Sequence, residues 1–248
     1  MKVLYVTNLK DEDLSFSRIE SLSGLRKAGL EEIVFIQTTP FDGWLDNLTS
    51  FDIAYKTLVE ETLSLPAVLD VARREGVSLI VSDCKKVTRN SSRRSLINGL
   101  IKSSSVPVLV FNETSIRGGD LFEHLIFPTD WSPASERALT FLLGFSAIIQ
   151  RLDIVNVING KLTVRDMREL KERLTRTRMI CLDSKIDAEL HIYAGKTVEE
   201  IITASEDYKA TLIALGAVPK KPFYKTMFRG NSSCRVAVEA EVPVLIVP

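Results

Sequence analysis

Short apolar runs alternate with segments of helical period along the whole chain. Residues 3–7 make a compact run rich in β-forming side chains. Phe16, Ile19, Leu22 and Leu25 then recur at helical spacing before Ala28-Gly29 closes the segment. A run of that length predicts a buried strand, and a glycine just past the last apolar position is a helix stop. The same reasoning predicts strands over 32–39, 77–82 and 106–111 and a weak strand over 51–58. Helices follow over 66–75, with Pro66 in the first turn and Gly76 behind it, and over 95–103. Residues 41–50 read as loop, with Asp42-Gly43 as the turn signal.

Further along, strands are predicted over 125–129, 153–158, 187–193, 211–215 and 242–247. Ser132-Pro133 starts a helix as N-cap and first helical residue. A charged helix covers 164–178, and a short one 234–241. Thr197 reads as the cap of a helix over 198–208, with Glu199 and Glu200 in the first turn where the dipole favours acids. Strands alternating with helices predict a parallel sheet covered by helices on both faces.

The pattern also repeats. Lys2-Val-Leu-Tyr-Val-Thr-Asn8 lines up with His124-Leu-Ile-Phe-Pro-Thr-Asp130 at an offset of 122. Val106-Pro-Val-Leu-Val-Phe111 matches Val242-Pro-Val-Leu-Ile-Val247 at an offset of 136. The difference, 136 less 122, puts 14 more residues inside the second copy, and the long charged helix accounts for them. The seam is the polar, glycine-containing stretch from Asn112 to Asp120. Two tandem domains of one design follow, 1–113 and 120–248.

Composition narrows the classes. The chain of 248 residues is 45% hydrophobic and 26% charged, with zero net charge. It has ample material for a core, and no whole-molecule field argues for nucleic acid or an acidic membrane. The longest apolar run, 139–149, is too short to span a bilayer, and the first residues lack the apolar segment and cleavage site of a signal peptide. Cys84, Cys181 and Cys234 have neither metal spacing nor a pairing framework. A reducing cytoplasm is the expected setting.

In an open parallel sheet, ligands bind outside the carboxyl ends of the strands. In the second half those ends present Pro128, Thr129 and Asp130, then Val157, then Leu215 and Gly216. The glycine-punctuated loop and helix start at Gly230, Asn231, Ser232 and Ser233 can close over the same crevice. Asp130 would accept hydrogen bonds from a base or ribose. Gly216 would allow close backbone approach. The amides and hydroxyls at 230–233, with the helix dipole, would hold phosphate. Each feature has a plainer reading: Asp130 belongs equally to a helix start, and 230–233 equally to a helix cap. The loops after the fourth strand of each half carry Lys85, Lys86, Arg89, Arg93 and Arg94 in one and Lys220, Lys221, Lys225, Arg229 and Arg235 in the other. Such runs are usually solvated. His124 and His191 read as structural, Cys84 as inert, and Trp44 and Trp131 as packing or rim residues. No nucleophile elbow, HExxH or Walker loop is present.

Through Pro128-Thr129-Asp130-Trp131-Ser132, Gly216, Gly230-Asn231-Ser232-Ser233 and the Val-Pro-Val-Leu strands, the chain resembles a tandem universal stress protein. The resemblance implies two five-stranded α/β units, Rossmann-like and akin to the adenine nucleotide alpha hydrolase fold. It implies ATP or AMP as ligand of the C-terminal unit at Pro128, Thr129, Asp130, Val157, Leu215, Gly216, Gly230, Asn231, Ser232 and Ser233. It further implies a regulatory, non-catalytic role in stress response. The Val-Pro-Val-Leu strands would pair edge to edge, as an internal pseudo-dimer and between two chains. The match is incomplete. Pro219 stands where the ATP-binding motif has its second glycine, and ten residues rather than nine precede Gly230. Asn231 replaces Ser or Thr. The first half has Asn8 for the aspartate and no glycine in its loop, so it reads as a structural copy. The alternatives are a nucleotide-free interaction module and a slow ATP hydrolase.

Overall fold

The computed structural model describes residues 1–7, 12–39, 50–84, 92–112, 115, 120–217 and 232–248. The first half runs β1 (Lys2–Val6), α1 (Glu12–Ser23) with a 3₁₀ turn (Gly24–Ala28), β2 (Glu32–Gln37), β3 (Ala54–Val59), α2 (Leu65–Glu75), β4 (Leu79–Cys84), α3 (Ser92–Ser103) and β5 (Val108–Asn112). The second runs β6 (His124–Pro128), α4 (Pro133–Leu143), β7 (Arg151–Ile158), α5 (Val164–Asp183), β8 (Asp187–Ala194), α6 (Thr197–Asp207), β9 (Leu212–Gly216), α7 (Ser232–Glu239) and β10 (Val244–Val247).

Local chemistry explains most boundaries. Ser64 and Ser132 cap α2 and α4, each followed by a proline in the first turn. Thr163 and Asp166 form a capping box at the start of α5, whose 20 residues make it the longest helix described. Two expectations need correction. Thr197 is the first helical residue of α6 rather than its cap, a position held by Lys196 without a side-chain hydrogen bond. Asp83 and Cys84, expected to open a loop, are the last two residues of β4. A partner for the buried carboxylate, described below, lets that strand continue.

The ten strands form one sheet in the order β3-β2-β1-β4-β5-β10-β9-β6-β7-β8. Neighbours are parallel except β5 and β10, which pair antiparallel with Leu109 opposite Leu245. The two Val-Pro-Val-Leu strands therefore meet within one chain, as the internal pseudo-dimer requires. Both are then inner strands, so a homodimer through the same strands has no free edge there; the sheet's edges are β3 and β8. One face packs Leu22 of α1, Leu142 of α4 and Leu174 of α5. The other packs Val71 of α2, Leu100 of α3, Ile201 of α6 and Val236 of α7. Both cores run unbroken across the junction. The antiparallel pair also points the strands of the two halves in opposite directions, so their carboxyl ends lie at opposite ends of the strands. Among the described residues no helix is long and apolar enough to cross a membrane.

Candidate functional site

Parallel strands end in unpaired backbone, and the chain turns there into helices. At the carboxyl end of the second half, Thr129 N–H donates to Val155 O at 2.9 Å, and Asn156 Nδ2 to Thr129 O at 2.7 Å. Extending the strand registers puts Asn156, Thr129 and Gly216 side by side. This row floors a cleft of about 420 Å³. Its apolar walls include Pro128, Val157, Leu215, Ile201 and Val236.

The first turn of α4 forms one side. Asp130 Oδ1 accepts from Ser132 N–H at 2.9 Å and from Ser135 Oγ at 3.2 Å. The aspartate thus shapes the helix start, as its plainer reading holds, while its exposed side chain lines the cleft. Trp131 takes a left-handed φ of 54°, strained for so large a residue. It is held there by Thr129 Oγ1 on its backbone N–H, by Thr177 Oγ1 on its indole N–H and by Arg173 over its ring. It stands at the rim, where a neighbouring hollow opens toward α5.

On the opposite side Ser232 and Ser233 open α7 into the cleft. Ser233 Oγ donates to Gly216 O at 3.4 Å, and Arg235 ties the helix to α6 through Glu199 at 3.3 Å. Hydrogen bonding to the helix-start backbone and to Arg235 holds the Glu199 carboxyl below the usual range.

Of the residues expected in the site, Pro128, Thr129, Asp130, Val157, Leu215, Gly216, Ser232 and Ser233 line this one cleft. Gly230 and Asn231, with Pro219, lie outside the described residues. Gly216 serves a purpose the sequence did not reveal. A Cβ there would fall 2.3 Å from Ala134 C and O, so the missing side chain admits the backbone of α4. Ser135, Asn156, Asn159 and Thr197 also line the cleft and escaped the sequence reading. Asn159 Nδ2 donates to Thr197 Oγ1 at 2.6 Å. The repeat held a signal for Asn156, because its counterpart is Gln37.

The corresponding row in the first half is Gln37, Thr7 and Asp83, all buried. Where the second half has Gly216, Asp83 forms a buried ion pair with Arg18 of α1 and accepts from Tyr5 OH at 3.0 Å. Side chains cover here the strand end that the backbone of α4 covers over Gly216 in the other half.

The universal stress protein family's sequence profile matches residues 121–248, just over half of the chain. The chain belongs to the universal stress protein family. Among solved structures, the universal stress protein from Archaeoglobus fulgidus DSM 4304 is 21% identical with a TM-score of 0.68, over 99% of this chain and 97% of that one. A functionally unknown protein from Pseudomonas aeruginosa PAO1 is 14% identical with a TM-score of 0.68, over 99% and 92%. These likenesses extend the family's α/β fold over both halves. No curated protein matches the chain.

Proposed function

We propose that this family member is a cytoplasmic, non-catalytic regulator in stress response whose C-terminal unit, 120–248, binds ATP or AMP. The unit 1–113 is its structural partner. The reading rests on the cleft at the carboxyl ends of β6, β7 and β9. Its volume of about 420 Å³ falls in the range of small-ligand sites, and polar side chains able to orient a ligand stand among its apolar walls. Asp130 would take a base or ribose. The start of α7, with the hydroxyls of Ser232 and Ser233, would take phosphate, since a helix N-terminus favours negative charge. Both histidines lie against Asp153, away from the cleft, which favours binding without dedicated catalysis.

Isothermal titration with ATP and AMP tests the reading. Saturable heat is expected, and no heat at millimolar ligand would sink it. Asp130→Ala should weaken binding roughly tenfold; unchanged affinity would remove that residue from the site. A second reading, a nucleotide-free interaction module, is favoured by the Arg18–Asp83 pair that fills the first half's counterpart floor. A stable protein partner on a nucleotide-free preparation would support it.

A further inference from the structure

Helix α7 is eight residues long, so it spans only about 12 Å. Its first turn faces the cleft, and its last turn is held by the other half of the chain. Asn112, the final residue of β5, is only 3% exposed. Its Nδ2 donates to Ala237 O at 3.2 Å and to Ala240 O at 2.6 Å. Two carbonyl acceptors on one amide group fix which end of the side chain is nitrogen. Ser115 Oγ accepts from the Asn112 backbone N–H at 2.9 Å, and the residue is further placed by the β4–β5 ladder, opposite Cys84. The last carbonyls of a helix have no partner within it. Here a buried side chain 125 residues earlier supplies one. Helix α3 packs against α7 across the same junction.

Three polar attachments hold α7 besides its apolar packing: Gly216 at its start, Glu199 at its side and Asn112 at its end. Of these three, only the last comes from the first half. We propose that Asn112 is a positioning residue for the phosphate end of the cleft, through which the N-terminal half sets the axial placement of Ser232 and Ser233. The inference rests on the nucleotide reading above and adds to it a role for the N-terminal half. A helix this short carries a shift at one end to the other almost undiminished. Losing both hydrogen bonds would release α7 along its axis and weaken its grip on a phosphate while sparing the nucleoside.

The test compares Asn112→Leu and Asn112→Asp with Leu109→Val in the full chain. Leu109 belongs to the same strand but faces the opposite core, so its truncation loosens the junction without touching the α7 carbonyls. Titration with ATP and with adenosine should show ATP affinity falling roughly three- to tenfold in both Asn112 variants. Adenosine should stay within about twofold, and Leu109→Val should leave the ratio unchanged. Equal losses for ATP and adenosine, or the same shift in Leu109→Val, would overturn the proposal. Amide hydrogen exchange over Cys234–Val236 without ligand supplies a second readout. Exchange roughly tenfold faster in the Asn112 variants than in Leu109→Val is expected, and equal rates count against positioning. If the unaltered protein binds no nucleotide, the nucleotide reading fails by itself, and the exchange rates still decide whether Asn112 places α7.

Discussion

Asp153 sits fully buried near the start of β7. His124 donates to its Oδ2 at 2.7 Å, Arg151 to Oδ1 at 3.2 Å, and His191 Nε2 lies 3.4 Å from Oδ1. Burial alone would push this carboxyl up, but the hydrogen bonds from His124 and Arg151 outweigh it and hold it below the usual carboxylate range. Asp153, Glu189 and His191 are close enough to resemble a metal site. Arg151 bridges both carboxylates instead, reaching Glu189 at 3.0 Å, and supplies the positive charge itself. A depressed carboxyl stabilises the fold above its unfolded pKa, near 4, and loses that contribution as pH falls through the lower folded value. Asp153→Asn should therefore cost about 1–3 kcal/mol at neutral pH. The gap to the unaltered protein should narrow as the pH drops below about 4, as urea titrations at a series of pH values would read. A gap constant down to the acid limit would show that the charge of Asp153 is not what matters. All three cysteines are buried; burial pushes the Cys181 thiol up to about 11, so it stays protonated at neutral pH.

At the scale of elements, the cleft exists because α4 lies directly on the end of β9. Strand β9 ends in glycine, and the backbone of Ala134 and Ser135 fills the space of a side chain. In the first half, α1 stands over Asp83 and reaches it with Arg18 instead. At equivalent strand ends, helix backbone covers the floor over Gly216 and an ion pair covers it over Asp83. Gly216→Ala must push α4 aside, at an expected cost of about 1–3 kcal/mol. It should also disturb Asp130, whose hydrogen bonds depend on the first turn of that helix. Chemical denaturation measures the first effect and nucleotide titration the second. A neutral Gly216→Ala would mean that α4 adjusts freely and that the glycine matters only to a ligand.

At the scale of the molecule, one sheet and two unbroken cores bind the halves together. Leu109 and Leu245 meet at the antiparallel junction, each almost completely buried. Calorimetry should therefore record a single cooperative transition. Leu245→Ala should lower the stability of the whole by about 2–5 kcal/mol without splitting the transition. Two separate transitions in the unaltered protein would show that the junction is weaker than its packing suggests.

The order of strands and helices, the repeat and the cap at Ser132 were legible in the sequence, whereas the pairing of the Val-Pro-Val-Leu strands was implied by the family resemblance. Periodicity, turn chemistry and apolar runs are local properties that a chain carries wherever it folds. Helix ends shifted by a few residues, and Asp83 moved into its strand, because a buried partner 65 residues away outweighed the local preference for a loop. Pro128, Thr129, Asp130, Val157, Leu215 and Gly216 could be named as cleft residues from strand ends alone. Asn159, Thr197 and Ser135 could not, because their roles depend on which helix start reaches which strand end. That Gly216 admits a helix, that Asp153 gathers two histidines and an arginine, and that Asn112 caps a helix of the other half were decided only by tertiary structure. Each depends on registers and packing between segments far apart in the chain, and such pairings leave no trace in local pattern.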